Sequence, residues 1–179
     1  MPRVEFQPPA GEPPLLAEMR GYWMRKRNDH GFPGRKDIVP SDIKKWLPQI
    51  LLAEPVNGGG DFRYRLVGSK LRESFPSEPT GKLMSDVLAP FGEETVKKTV
   101  EVYGSILTLR EPLRIRGDGA WYGRTSRYFE ALLTPLSDDG HAINMIFGTF
   151  DFLWDHTYAL EHYRAIDQQV YTTAVSVLK

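Results

Sequence analysis

The run Asp61-Phe62-Arg63-Tyr64-Arg65-Leu66-Val67-Gly68 alternates apolar residues with arginines and stops at a glycine. A period of two describes a strand with one side in a core and the other in water. It places Phe62, Tyr64 and Leu66 on one face and Arg63 and Arg65 on the other. Just upstream lies a second apolar stretch, Gln49-Ile50-Leu51-Leu52-Ala53-Glu54-Pro55-Val56, joined to the first by Asn57-Gly58-Gly59-Gly60. Two strands across a glycine-rich connector form a hairpin. More than forty residues of mostly helical pattern follow, and then three more strands. Two strands, a helical excursion and three strands predict an α+β domain built on one antiparallel sheet.

The remaining segments fit around that sheet. Residues 1–12, with Pro2, Pro8, Pro9 and Gly11, read as a flexible tail. Pro13 and Pro14 sit where a helix can begin. Leu15, Leu16, Met19, Tyr22 and Trp23 then repeat at helical spacing up to an end near His30-Gly31. Arg25, Lys26 and Arg27 lie near its negative end, as a solvated helix terminus. Pro40 is expected to open a short helix with Ile43, Trp46 and Leu47 on one face, stopped by Pro48. Short helical turns at 69–75 and 83–89 lead to a longer helix that starts after Gly92. Its expected inner face is Val96, Val100, Tyr103 and Ile106 or Leu107. Gly104 costs that helix about 1 kcal/mol relative to alanine, which close packing on the sheet would explain.

Of the last three strands, the first covers 112–116 and turns at Gly117-Asp118-Gly119, and the others cover about 125–136 and 142–152. Ser137-Asp138-Asp139-Gly140 carries a hairpin signal between these two. Ile143 to Phe150 is apolar on both faces. An antiparallel sheet usually keeps one face wet, so the N-terminal helix, the C-terminal helix or a second subunit must cover the other. Residues 154–179 read as a C-terminal helix, with Tyr163, Ile166, Val170, Ala174 and Val177 in one stripe. The expected organisation is a tail (1–12), one domain (13–153) and that helix.

Composition narrows the function. Lysine plus arginine equals aspartate plus glutamate at 23 each, which argues against nucleic acid as a partner. There is no cysteine, so disulfides, thiolate nucleophiles and zinc–thiolate sites are excluded. No apolar run approaches the ~20 residues of a membrane span, and the first residues have no signal-peptide core. A cytoplasmic, non-membrane protein is the expectation.

Four stretches carry a family resemblance. They are Tyr22-Trp23 followed by Pro33, Arg35, Asp37 and Pro40; Ile43 with Trp46-Leu47-Pro48-Gln49-Ile50; Phe62 to Gly68 followed by Thr80-Gly81; and Leu133 to Gly140 leading into Asn144-Met145-Ile146-Phe147-Gly148. In this order they resemble a bacterial subfamily of PAS domains that occur alone or at the N-terminus of signalling proteins. The resemblance covers most of residues 20–152, while 82–127 matches in pattern only. It implies a five-stranded antiparallel sheet with helices across one face, a cavity between them, and no catalytic residues.

Tyr64, Leu66, Tyr103, Leu107, Phe129, Ala131, Met145 and Phe147 are the candidate cavity lining; the bland alternative is an ordinary close-packed core. With no thiol, cysteinyl-flavin photochemistry is excluded, and residues 93–108 offer no histidine to haem. The cofactor is left unnamed. His30, His141, His156 and His162 have no metal-ligating spacing. Arg35 and Asp37 read as a loop tied down by charge-assisted hydrogen bonds. Arg110, Arg114, Arg116, Arg124 and Arg127 crowd one hairpin, with Arg114 and Arg116 expected on the solvent face. No nucleophile elbow, P-loop or dinucleotide pattern is present, so an enzyme is not expected. Two readings follow. One is a sensor that binds a small molecule in its cavity and signals by protein contact, with homodimerisation through the terminal helices. The other is a ligand-free interaction module.

Overall fold

The glycine-rich connector makes the expected hairpin. Strands β1 (Ile50–Val56) and β2 (Asp61–Val67) pair antiparallel, with Val56 opposite Asp61. The turn between them needs positive φ at Gly58 (67°) and Gly59 (95°), which glycine adopts without steric cost. A computed structural model describes residues 12–118, 128–153 and 175–178. Its other elements are α1 (Pro14–Lys26), α2 (Ser69–Arg72), α3 (Met84–Leu88), α4 (Glu93–Leu109), β3 (Leu113–Asp118), β4 (Tyr128–Leu136), β5 (Met145–Leu153) and β6 (Val175–Leu178). The strands form one antiparallel sheet in the order β2-β1-β5-β4-β3-β6. The outer edge of β2 is covered by the chain at 81–83: Gly81 donates its N–H to the Tyr64 carbonyl (2.6 Å) and Tyr64 donates to that of Lys82 (3.0 Å). Covering the edge removes a template for unwanted strand pairing.

Both faces of the sheet are packed. On one, Leu71 of α2, Met84, Val87 and Leu88 of α3, and Tyr103 and Ile106 of α4 meet Leu51, Ala53, Phe62, Tyr64, Phe129, Leu133, Ile146 and Phe150. On the other, Met19, Tyr22 and Trp23 of α1, with Ile38 and Ile43, meet Ile50, Leu52, Leu136 and Phe147. The N-terminal helix is therefore one cover for the second apolar face of β5. Two polar anchors fix it. The Trp23 indole donates to the Pro135 carbonyl (2.9 Å), and the Tyr22 hydroxyl accepts the Val39 N–H (2.9 Å). Burial pushes the Tyr22 hydroxyl above its ordinary pKa.

Several expectations need correction. Pro48 does not stop the segment after Pro40: a tight 3₁₀ stretch, Lys44–Gln49, runs through it, and it follows a turn at 40–43. β3 continues through Gly117 and Asp118, which pair with Phe129 and Tyr128, so these residues form no turn. On α4 the buried stripe is Thr95, Thr99, Tyr103 and Ile106, with Val96, Val100 and Leu107 flanking it. The threonines can be buried because each hydroxyl donates to a carbonyl four residues back, Thr95 to that of Phe91 in the turn before α4 (3.0 Å) and Thr99 to that of Thr95 (2.7 Å). Close packing does not require glycine at position 104: among the described residues a Cβ there would meet only the Gly59 carbonyl oxygen, at 3.8 Å.

The C-terminus differs as well. Val175–Leu178, expected in a helix, is a sixth strand that pairs with β3 from Arg114↔Leu178 to Gly117↔Val175. An otherwise unpaired edge of β3 supplies the backbone partners that a short terminal segment cannot supply for itself as a helix. The rest of the expected C-terminal helix (154–174), the tail up to residue 11, and Arg124, Arg127, His156 and His162 lie outside the described residues.

Candidate functional site

The eight candidate lining residues do not meet in one place. For Leu66 the cause is a bulge in β2. Leu52 pairs with Leu66 but Ala53 pairs with Tyr64, so Arg65 is an extra residue on that strand. The period slips by one. Leu66 joins Leu52 on the α1 side, and Arg65 stays exposed, 3.8 Å from Glu54. Met145 and Phe147 also lie on the α1 side, with Thr134 and Leu136 as their ladder partners on β4. Tyr64, Tyr103, Phe129 and Ala131 lie on the helix-covered side, with Leu107 at its margin.

On that helix-covered side, aromatic rings pack against one another. Phe62 and Tyr103 have ring centroids 5.4 Å apart, Tyr64 meets Phe75 edge-on at 5.4 Å, and Phe129 meets Phe150 at 5.7 Å. Such pairs add about 0.5–1.5 kcal/mol beyond the burial of their area. Tyr64, Tyr103, Phe129 and Ala131 are all buried. Asp61 closes one end. Its carboxylate accepts the Ser85 hydroxyl (2.5 Å) and the Phe62 N–H (2.7 Å), which ties β2 to the start of α3.

The other side carries a charged group that alternation misplaced. Arg114, expected in solvent, is buried, and its Nε (2.8 Å) and Nη2 (2.5 Å) both donate to Oε2 of Glu130. Glu130 is wholly enclosed. A signal was present in the sequence: Glu130 is the one charge within Tyr128-Phe129-Glu130-Ala131-Leu132-Leu133, and a buried carboxylate requires a partner. Across the ladder from Glu130 lies Asp151, half-buried. Burial, and then the Glu130 charge, raises the Asp151 pKa above the ordinary carboxylate value. Nearby on β5, the buried Thr149 hydroxyl has no hydrogen-bond partner among the described residues.

The Arg35–Asp37 loop is tied down as expected. Asp37 Oδ2 accepts the Gly34 N–H (2.7 Å), the Arg35 guanidinium donates to the Ile38 carbonyl (3.4 Å), and the Arg35 N–H reaches Asp138 Oδ1 in the β4–β5 turn (2.9 Å). Among the described residues no group of His, Asp and Glu is placed to hold a metal, and no helix is long and apolar enough to cross a membrane.

An antiparallel sheet with a run of short helices and one longer helix across one face is the architecture that the resemblance implied. A family model described as "PAS domain" matches residues 12–151. The chain belongs to the PAS-domain family. Its structure is similar to that of the PAS domain from Bordetella pertussis BvgS, with a TM-score of 0.52 and 16% sequence identity. That similarity covers 70% of this chain and 91% of the BvgS chain. A search of curated proteins finds no match. The family is one of sensory and regulatory modules.

Proposed function

We propose that this protein is a regulatory PAS module whose helix-covered interior is filled by its own aromatic side chains, and which signals through contact with another protein. The observation that carries this reading is the packing of Phe62, Tyr64, Phe75, Tyr103, Phe129 and Phe150 into ring-to-ring contact at buried positions. A ligand there would have to displace rings whose close contacts hold the sheet to α4 and to the turn after α2. The reading with a small molecule inside the sheet is the alternative, and it loses the joint lining on which it was built. Leu66, Met145 and Phe147 face the other way.

Homodimerisation belongs to the same proposal. It uses surfaces other than the apolar stripe of α1, because Leu16, Met19, Tyr22 and Trp23 are buried within this chain. The test has two arms. Native mass spectrometry, followed by denaturing extraction of the purified full chain, is expected to return the bare polypeptide mass; a stoichiometric extracted compound overturns the packed interior. Photo-crosslinking in cells from exposed Glu101 on α4 and exposed Arg65 on β2 is expected to give discrete protein adducts. No adduct from either position counts against signalling by contact, and a concentration-independent monomer mass removes the homodimer.

A further inference from the structure

A concavity lies on the α1 side, away from the packed interior. It opens where the end of α1, the turn at 27–32 and the junction from α4 into β3 meet, and its volume is about 490 Å³. That is within the size range of small-molecule sites, about 300–1,000 Å³. Its walls combine the Trp23 and Phe32 rings with the guanidiniums of Arg27 and Arg110, and His30 and Glu111 also line it.

The two arginines are held in place without being neutralised. Arg27 donates from Nε to the Gly31 carbonyl (2.8 Å) and lies over the Trp23 ring, 5.7 Å from its centroid. Arg110 donates from Nη1 to the His141 carbonyl and from Nη2 to the Gly140 carbonyl, both at 2.8 Å, and lies 4.9 Å over Phe32. Carbonyl oxygens orient a guanidinium but leave its charge intact, and neither arginine has a carboxylate partner among the described residues. Arg20, which also lines the cleft, differs: Glu12 neutralises it at 2.6 Å. A guanidinium has five N–H donors, so both Arg27 and Arg110 keep several for a ligand. Arg110 also adopts left-handed backbone geometry (φ 57°), an uncommon conformation for a residue other than glycine. That conformation ends α4 where the side chain can span from Phe32 to the β4–β5 turn.

We propose that this cleft binds a small aromatic carboxylate. The ring would lie among the partly exposed Phe32, Met24 and Pro112, and the carboxylate would take the remaining N–H groups of Arg27 and Arg110. Arg27 and Arg110 against Glu111 leave one net positive charge, which suits a monoanion better than a phosphate dianion. The occupant would touch α1, which covers one face of the sheet, and the end of α4, which covers the other. Binding would thereby couple the two helical layers. This site is independent of the packed interior, and its failure leaves that reading intact.

The test is a ¹⁵N-resolved NMR titration of the full chain with benzoate, benzyl alcohol, acetate and inorganic phosphate. Benzoate is expected to shift, saturably, the Trp23 indole and the amides of 27–32 and 110–113. Benzyl alcohol, acetate and phosphate should each bind at least about tenfold more weakly, the loss expected when a charge-assisted hydrogen bond or the ring contact is removed. Arg27→Met, at an exposed position, should melt like the parent and weaken benzoate by about tenfold. The proposal is overturned by no saturable shift at tens of millimolar benzoate, by equal binding of benzyl alcohol, by tighter binding of phosphate, or by an unaffected Arg27→Met. Shifts at Tyr64, Tyr103 and Phe129 instead would overturn both this site and the packed interior.

Discussion

Removing the Glu130 carboxylate would show whether the buried Arg114–Glu130 pair is a structural element or a surface ion pair with a covered appearance. An exposed pair contributes about 0–1 kcal/mol. Breaking a buried one strands a charge and costs about 3–5 kcal/mol. The side-chain exposures are 6% for Arg114 and 0% for Glu130, and two N–H groups converge on one oxygen, so the buried figure applies. Glu130→Ala should therefore cost about 3–5 kcal/mol, a large share of the roughly 5–15 kcal/mol available to a domain. Urea-induced unfolding reads it as a lowered midpoint, and thermal melting serves if the variant is too unstable for a baseline. The double variant Arg114→Met, Glu130→Leu should recover most of the loss, because it removes the stranded charge together with its partner. A cost below about 1 kcal/mol for Glu130→Ala would mean that water reaches the pair, and the argument from burial would be wrong.

Three further outcomes follow from the geometry. Gly104→Ala should stabilise the protein by up to about 1 kcal/mol, since the new methyl group meets only ordinary contact at 3.8 Å; a lower melting temperature would disprove the open space. Gly68→Ala should destabilise by several kcal/mol, because a Cβ there would fall 2.2 Å from the Leu47 carbonyl oxygen and 2.5 Å from that of Pro48; an unchanged denaturation midpoint refutes this. Asp151 holds its proton more tightly folded than unfolded, so the stability it contributes is full below its ordinary value of 3.8 and falls as pH rises through the folded value. Asp151→Asn should remove that slope, leaving the variant's advantage over the parent larger at pH 7 than at pH 4; melting curves at the two values that show the reverse gap would sink the assignment.

Local signals in the sequence were sufficient for the hairpin and for the order of helices and strands. Asn57 to Gly60 and the alternation of β2 act between neighbours, and so they survive in a single chain read alone. What escaped depends on pairs distant in sequence. Arg114 looks like a solvent-facing arginine until Glu130, sixteen positions away, is seen beside it. Val175–Leu178 looks helical until β3 offers it an edge. On α4, Thr95 and Thr99 look polar because a hydropathy pattern does not register that their hydroxyls are satisfied by backbone carbonyls four residues back. The candidate site suffered most: the one extra residue at Arg65 is invisible to a rule of strict alternation and moves Leu66, while β5 is apolar on both faces, so its pattern does not say which side Met145 and Phe147 take. Tyr64, Tyr103, Phe129 and Ala131 were placed on the right side of the sheet, and Leu66, Met145 and Phe147 were not.

That extra residue is a spacer that the pairing itself does not use. Tyr64 and Leu66 stand opposite Ala53 and Leu52, two consecutive residues of β1, and so face opposite layers as neighbours in a regular strand do. Deleting Arg65 would close the ladder into an unbroken one and leave Tyr64 with the helix-covered layer and Leu66 with α1. Deleting Leu66 instead would bring Arg65 opposite Leu52 and press a charge against the α1 layer.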